Sequence, residues 1–495
     1  MARMHTNPMN AAFLMMESRE RPMHVATLLI YSLPPGAGAD FVKRIVADLQ
    51  QSTEFVAPFN LRLRNPALKF ALPMWQEDFD LDLEYHVRHS ALPYPGGERE
   101  LGVLISRLHS NPMDLNRPLW EYHVIEGLER NRFAVYFKMH HALVDGLAGL
   151  RMLQRSMSTR QEDVNTPALW SAHPPGGGLA GPSAPFNWDL LGSLGGTLRS
   201  AGDVANALLA MLQAAYDQKD PVKLPFETPV SILNHRVHSQ RRFATQTCEF
   251  ERIRRLSKHA DCTINDVVLA LCSGALRRFL KDRGELPGRS LTAGIPVSIR
   301  PPGDEGSLPA VSFIIADLAT NVANAERRLA VITASTRRAK TLLQKLPRDS
   351  LEKWSAAVML PYTVQILAGL EGRTRPVFNL TISNVPGPRE YLYFRGARLE
   401  GLYPVSLVTH GQALNITCYS YVDTLTFGFV GCRDTLPRMQ RLAVYTGEAL
   451  DELEQTLLGK AARDDIQPAR EAVKPRASKT GRRRRSAAST ADAGP

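Results

Sequence analysis

Only five cysteines occur in 495 residues (Cys248, Cys262, Cys272, Cys418 and Cys432), and none forms a Cys-x-x-Cys pair. Neither a disulfide framework nor a zinc knuckle therefore organises the chain, and a reducing, cytoplasmic setting fits. Nowhere do about 18 apolar residues run uninterrupted, the length that a membrane helix needs, and no apolar run follows Arg3 in the manner of a secretory signal. The strings G-x-S-x-G, H-E-x-x-H and the P-loop are absent, which removes the motifs of serine hydrolases, zincins and kinase-like enzymes. Gly176, Gly178 and Gly181 match G-x-G-x-x-G, but they follow two prolines instead of a strand and open no helix, so a dinucleotide site is rejected.

What is present is an ordinary globular composition, 44% hydrophobic and 22% charged, able to bury a large core. The length exceeds that at which one core usually stays single, so two domains are expected. The divisions expected are a first domain over 1–161, a Pro/Gly-rich and helical crossover over 162–230, a second domain over 231–460 and a basic tail over 461–495. From residue 466 on, eight Lys/Arg face only Glu471 and Asp492, so this segment supplies +6 of the formal +11. Rich in Ala, Ser, Pro and Arg with no hydrophobic period, it is expected to be disordered and drawn to any anionic surface. Nucleic acid, anionic lipid and plain solubility all remain open as reasons for it.

Along the chain, residues 23–31 read as a buried strand, 41–49 as a helix, and 75–89 as a strand through the alternating Phe79, Leu81, Leu83, Tyr85 and Val87. Residues 101–109 have amphipathic helical spacing, and 117–127 and 133–141 form a hairpin turning at 127–131. A helix is expected over 190–216 in the crossover. In the second half, strands are expected to 250, over 291–300, 310–318, 377–385, 414–421 and 424–430, and helices over 253–259, 263–279, 325–346, 354–370 and 436–458. Pro296 places its strand at an edge or a bulge. Thr263 with Asp266 three residues on has the form of a capping box, and structure alone accounts for Asp266, whereas Asn265 is less easily explained.

The most informative stretch is 133–146, Phe-Ala-Val-Tyr-Phe-Lys-Met-His-His-Ala-Leu-Val-Asp-Gly, an apolar strand that stops at two histidines. Alternation puts Phe133, Val135, Phe137, Met139 and His141 on one face and Ala134, Tyr136, Lys138 and His140 on the other. Leu147, Leu150, Leu153 and Met157 then follow at helical spacing, so His141 lies between a strand end and a helix N-terminus. A neutral imidazole there can take a proton from a hydroxyl at neutral pH when its other nitrogen is held. A packed core histidine and a metal ligand are the competing readings, and opposed rings weaken a shared metal site. A second pattern, Asn379, Thr381 and Ser383 opposite Phe378, Leu380 and Ile382, makes one strand face wholly polar, as either a cleft wall or a solvated edge would. With no obvious nucleophile, direct transfer is favoured over a covalent enzyme intermediate.

These residues carry a resemblance. His140-His141-Ala-Leu-Val-Asp145-Gly146 resembles the H-H-x-x-x-D-G motif of acyl-CoA-dependent acyltransferases, which is shared with peptide-synthetase condensation domains. Together with Pro118-Leu119-Trp120, Asn265-Asp266, Pro296-Val-Ser-Ile-Arg300 and Ser383-Asn384-Val-Pro-Gly-Pro388, the chain is similar to the bacterial bifunctional wax ester synthase/diacylglycerol acyltransferase family from about residue 13 to 458. The resemblance implies two α/β domains of the chloramphenicol-acetyltransferase type, with mixed sheets and a cleft between them. It implies His141 as base, no cofactor, a long-chain acyl-CoA donor and a diacylglycerol or fatty alcohol acceptor.

The remaining assignments follow as expectations. Asp145 holds the turn by capping the next helix or pairing with an arginine, Arg300 for one, and Gly146 permits close backbone packing. His140 supports the opposite face. Thr381, Ser383 or Asn384 furnishes the oxyanion donor, and Arg241, Arg242 or Lys138 lines an entrance for the CoA phosphates. No metal and no specific nucleic acid are expected. A peripheral place on the inner membrane or a lipid droplet follows from insoluble products, no membrane span and the basic tail. The rivals are a non-catalytic lipid-binding scaffold of the same fold and a condensation-type enzyme using carrier-protein-bound acyl groups.

Overall fold

In the computed structural model, which describes residues 4–5, 8–69, 73–144, 146–173, 223–298, 311–345, 358–359, 361–366 and 368–459, the alternating stretch before the two histidines is a strand in the middle of a sheet. The first part of the chain contains β1 (Met4–His5), α1 (Pro8–Met16), β2 (His24–Ser32), α2 (Phe41–Gln50), β3 (Leu61–Leu63), β4 (Met74–Glu77) and a helical turn, α3 (Leu83–His86). It continues with β5 (Val87–Ala91), α4 (Glu98–Ser110), β6 (Trp120–Leu128), β7 (Arg132–His140) and α5 (Gly146–Arg155). The second part has β8 (Arg241–Glu249), α6 (Phe250–His259), α7 (Ile264–Lys281), β9 (Thr292–Ser298), β10 (Val311–Asp317) and α8 (Ala325–Lys345). It ends with β11 (Leu380–Val385), β12 (Tyr393–Phe394), β13 (Ala397–Val405), β14 (Leu414–Tyr421), β15 (Thr424–Cys432) and α9 (Arg441–Leu458).

Two six-stranded mixed sheets result, in the orders β12-β13-β2-β7-β6-β5 and β10-β9-β11-β14-β15-β8. β5 runs parallel to β6, and β11 runs parallel to β9 and β14, while the other pairings are antiparallel. The first sheet is not made by the first part alone. β13 pairs with β2 from Arg398 opposite Ser32 to Val405 opposite Ala26, so a strand from the second part completes it across the expected division near residue 230. The crossing is close: a Cβ on Gly428 of β15 would lie 1.8 Å from the Pro404 carbonyl oxygen of β13.

The two faces of β7 serve two different cores. Phe133, Val135, Phe137 and Met139 pack with Trp120, Trp170 and the apolar side of α2, whereas Ala134 and Tyr136 join the core that α6, α7 and α9 build on the second sheet. That division is what a period of two produces when both faces of a strand are covered. β8 is an edge strand of the second sheet, and α4 covers it. Ser106 and Ser110, one turn apart on α4, accept the backbone N–H groups of Phe243 (3.0 Å) and Arg241 (2.8 Å), which would otherwise be open edge donors.

Three expectations change. Residues 79–86 are not strand: Asp82 caps α3 by accepting the Tyr85 N–H at 3.2 Å, and Phe79 is 81% exposed. The local cap outweighs the alternating pattern. β9 lies inside its sheet, but its pairing with β11 covers only Ala293 and Gly294, so Pro296 has a single partner strand and its missing N–H costs nothing there. β11 is likewise interior, which removes the solvated-edge reading of its polar face. The helix expected over 190–216, Gly176, Gly178, Gly181 and the tail lie outside the described residues.

A line of buried histidines ties α4 to both sheets. His24 Nε2 donates to the His109 carbonyl (3.0 Å), Tyr136 donates its hydroxyl to His109 Nδ1 (2.8 Å), and His109 Nε2 donates to the Ser406 carbonyl just past β13 (2.8 Å). Burial pushes the His109 pKa down to about 3 and that of His24 well below its usual value. The unfolded chain therefore binds more protons than the folded one below about pH 6.5. Stability should be full above that pH and fall as the pH drops toward 3, by up to about 1.4 kcal/mol per pH unit for each histidine. Urea unfolding between pH 7 and 4.5 tests this, with a shallower slope expected for His109→Gln; an unchanged slope in that variant would remove His109 from the account.

Candidate active site

His141 sits in the turn just beyond β7. Its N–H donates to the Met23 carbonyl at 2.8 Å, which carries the β2–β7 ladder one step past His24 opposite His140. The turn is closed on the other side by His140, whose N–H donates to the Leu119 carbonyl (3.0 Å) and whose Nδ1 accepts the Ala142 N–H (3.1 Å). The His141 ring is half-buried and stacks on Phe13 of α1, centroids 4.2 Å apart and planes 12° off parallel. His140 is 1% exposed. One histidine is thus packed into the fold while its neighbour is only half-buried, against α1 and the start of β2.

The residues matching the motifs divide between structural and accessible positions. Leu119 and Trp120 are fully buried; Trp120 donates Nε1–H to the Phe59 carbonyl (2.8 Å) and stacks on His86 (4.4 Å) and Trp170 (5.2 Å). Buried Pro118 precedes them, and Trp120 N–H donates to its carbonyl (3.0 Å), so the stretch anchors β6 beneath His140. Asp266 accepts the Thr263 N–H (2.9 Å) in the capping box and also the Thr336 hydroxyl (2.6 Å), joining α7 to α8; Asn265 is half-buried in the same first turn. Gly387 is required by space, since a Cβ there would lie 2.0 Å from the Ser420 carbonyl oxygen and 3.9 Å from Leu150 of α5. The latter contact sets the end of β11 beside the helix that follows the two histidines.

On the polar face of β11, Asn379 is a structural hub. Its amide donates to the Pro229 carbonyl and Asn234 Oδ1 (2.7 Å each), and its oxygen accepts the Thr292 N–H (2.9 Å) and the Thr228 hydroxyl. Thr381 gives its hydroxyl proton to Gln412 Oε1 (2.8 Å), so that proton is not aimed at an oxyanion. Ser383 and Asn384 follow, both half-buried, nearer the α5 end. Asp145 and Arg300 lie outside the described residues.

Lys138 and Arg241 do not line an entrance. Lys138 is fully buried, 2.9 Å from Glu121 and donating to the Leu108 (3.4 Å) and Asn111 (3.2 Å) carbonyls, where it caps the C-terminal end of α4. Burial raises the Glu121 pKa, but the His123 hydrogen bond (3.0 Å) and the Lys138 charge outweigh it and hold the carboxyl at about 2. Arg241 is also buried and donates to the His238 and Glu20 carbonyls. A cation followed by apolar neighbours in a strand reads as exposed only if no carboxylate waits inside; Glu121, one β-strand over, is what the linear order hides. Gly146 differs too: it is exposed at the start of α5, and a Cβ there would meet nothing within 4 Å, so it permits no close packing. Phe13 and the carboxylate of Glu17, which lies 3.4 Å from His140 Nε2, went unsingled in the sequence, although their i, i+4 spacing puts them on one helical face.

Burial pushes the thiols of Cys248, Cys272 and Cys418 up, so none of these is an available thiolate at neutral pH.

Residues 6–268 match the wax ester synthase/diacylglycerol acyltransferase catalytic domain, and residues 310–454 match the C-terminal domain of the same family. The chain belongs to the wax ester synthase/diacylglycerol acyltransferase family. It is an acyltransferase. A Mycobacterium tuberculosis protein named as a diacylglycerol O-acyltransferase is 46% identical over 479 residues, covering 90% of this chain and 96% of that one. The O-acyltransferase WSD of Acinetobacter baylyi is 39% identical over 466 residues, covering 94% and 99%. Among solved structures, the wax ester synthase/diacylglycerol acyltransferase of Marinobacter aquaeolei matches with a TM-score of 0.74 at 37% identity, covering 92% of this chain and 99% of that one. The first condensation domain of the calcium-dependent antibiotic synthetase matches with a TM-score of 0.56 at 15% identity, a likeness of fold alone. Two mixed α/β domains of the chloramphenicol-acetyltransferase and condensation type, expected from the motifs, are the architecture this family member has.

Removing Lys138 from this arrangement leaves Glu121 with only the longer Arg88 contact at 3.5 Å and the His123 ring, and leaves the Leu108 and Asn111 carbonyls without this donor. Lys138→Met should cost about 3–5 kcal/mol in urea unfolding, the range for breaking a buried pair from one side. A loss below about 1 kcal/mol, the size of a surface pair, would show that the pair is solvated.

Proposed function

We propose that this acyltransferase moves a long-chain acyl group from acyl-CoA to a diacylglycerol, a fatty alcohol or both, by direct transfer with His141 as general base. What supports the reading is the turn at 140–142: its backbone is held beside both neighbouring strands while the second histidine of the motif stays half-buried, in a chain of this family. The acceptor's hydroxyl proton passes to His141 as its oxygen attacks the thioester carbonyl carbon. The tetrahedral intermediate then collapses with cleavage of the C–S bond, and the leaving thiolate takes the proton from the imidazolium, so that free coenzyme A departs and the base is restored. Ser383, with Asn384 beside it, is the candidate to donate to the oxyanion, since Thr381 spends its proton on Gln412. Asp145 keeps the role that the resemblance implies, holding the turn. Acyl-CoA is a substrate here, and the chemistry calls for no cofactor.

His141→Ala should lower thiol release from palmitoyl-CoA with dioleoylglycerol or hexadecanol by about 10²- to 10⁴-fold, with a nearly constant melting temperature, because a half-exposed ring leaves little cavity. His140→Ala should cost stability first, having lost a buried ring and the acceptor for Ala142. Near-normal release by His141→Ala would end the reading.

The acceptors and products are insoluble in water, and no helix among the described residues is long and apolar enough to cross a membrane. Peripheral attachment to an anionic membrane or droplet surface is the place we propose, with each Lys/Arg near such a leaflet adding about 1 kcal/mol. Deleting everything after Asp465 should weaken sedimentation with anionic vesicles at low salt and spare activity on dispersed substrate. Unchanged sedimentation would shift attachment to an apolar surface of the folded part.

A further inference from the structure

The segment joining α1 to β2 touches the histidine turn at three points. Phe13 stacks on the His141 ring. One turn later Glu17, whose N–H donates to the Phe13 carbonyl at 3.0 Å, is 7% exposed and turns its carboxylate inward. Oε2 of that carboxylate accepts the Met23 N–H, and the Met23 carbonyl accepts the His141 N–H at 2.8 Å. The same Oε2 lies 3.4 Å from His140 Nε2. Because His140 Nδ1 accepts the Ala142 N–H, the ring hydrogen of a neutral His140 is on Nε2, which lies beside the Glu17 carboxylate without a hydrogen bond to it. The hydrogen bonds run from Glu17 through Met23 to His141, and the His140 ring packs against the same carboxylate.

Burying a carboxylate is costly unless it is satisfied, and a surface position on α1 would have cost nothing. The charges that bear on it come from other elements: Lys138 and His140 on β7 and Arg241 on β8. None of these replaces the link to Met23. The loop itself is pinned at its far end, where Arg21 pairs with buried Glu371 at 2.9 Å and the Glu20 carbonyl accepts from Arg241 at 2.7 Å. Motion of residues 17–23 is thus restrained from both parts of the molecule, and the backbone of His141 inherits that restraint.

We propose that Glu17 is a positioning residue for the transfer reaction, and that Phe13 and Glu17 together make α1 the element that orients the base. Glu17 fixes the backbone of His141 through Met23, while Phe13 sets the plane of the His141 imidazole. The inference rests on the reading of His141 as base. A positioning residue alters the alignment of the base in the transition state without removing binding surface, so its loss lowers kcat and leaves KM unchanged. A displacement of about 1 Å at such a site costs up to about 100-fold.

The test is steady-state thiol release from palmitoyl-CoA with hexadecanol by the full-length chain, comparing Glu17→Ala, Glu17→Gln, Phe13→Ala and His141→Ala, each checked for its melting temperature. Glu17→Ala and Phe13→Ala should lose about 10- to 100-fold in kcat with KM for palmitoyl-CoA within about twofold. Glu17→Gln keeps an acceptor for the Met23 N–H and should recover kcat to within about fivefold of the parent. The proposal is overturned if Glu17→Ala keeps the parent kcat, if its loss falls on KM, or if Gln fails to rescue a well-folded protein. It is also overturned if Glu17→Ala loses activity only in proportion to its folded fraction. If His141→Ala retains release, the base assignment itself fails; if His141→Ala is inactive while Glu17→Ala is normal, only the positioning role fails.

Discussion

The hydrogen bond from the His141 N–H to the Met23 carbonyl is the interaction on which the site depends. A β-ladder normally ends where its strands end. Here it continues one step beyond the last residue of β7, so the turn inherits the rigidity of a six-stranded sheet while leaving the extended conformation. A side chain at such a place is held by the backbone beneath it at the sheet's rim, and the His141 side chain is only half-buried there.

That rim is rigid because β7 is covered on both faces. The aromatic side, with Trp120, Trp170 and Phe137, closes the first core, and the side with Tyr136 and Lys138 faces α4 and the second sheet. Polar groups on the second side are expensive to bury, and each is answered: His109 bridges Tyr136 and Ser406, and Lys138 meets Glu121 and the last carbonyls of α4. These bonds are also what hold the two parts of the chain together. β13 does the same by covalent connection, carrying a strand of the second part into the sheet that ends at the histidines. The first sheet is therefore built from both parts of the chain.

Several features of this arrangement were legible from residues alone. The alternation over 133–139 assigned the faces of β7 correctly, although His141 lies in the turn beyond the strand, the spacing of Leu147, Leu150 and Leu153 placed α5, and Thr263 with Asp266 placed the start of α7, because each is a local rule with a short period. The family motifs were legible too, and the comparisons bear out the family. Local rules failed where two of them competed, as at residues 79–86, where a capped helical turn displaced an alternating pattern. They also failed where a partner lay far along the chain. Lys138 and Arg241 read as available cations because Glu121 and the Glu20 carbonyl are invisible to a linear pattern, and Gly146 read as a packing glycine although nothing approaches it.

The sequence by itself determined the order of most elements, through short local periods, and its motifs carried the resemblance to the acyltransferase family that the comparisons show. Only the tertiary structure decided which residues surround His141. Phe13, Glu17 and Met23 come from more than 100 residues upstream, β13 from more than 250 downstream, and their approach depends on sheet register and helix packing. Register is set by which faces find burial, a property of the whole core, so no window of the chain short enough to read by pattern contains it.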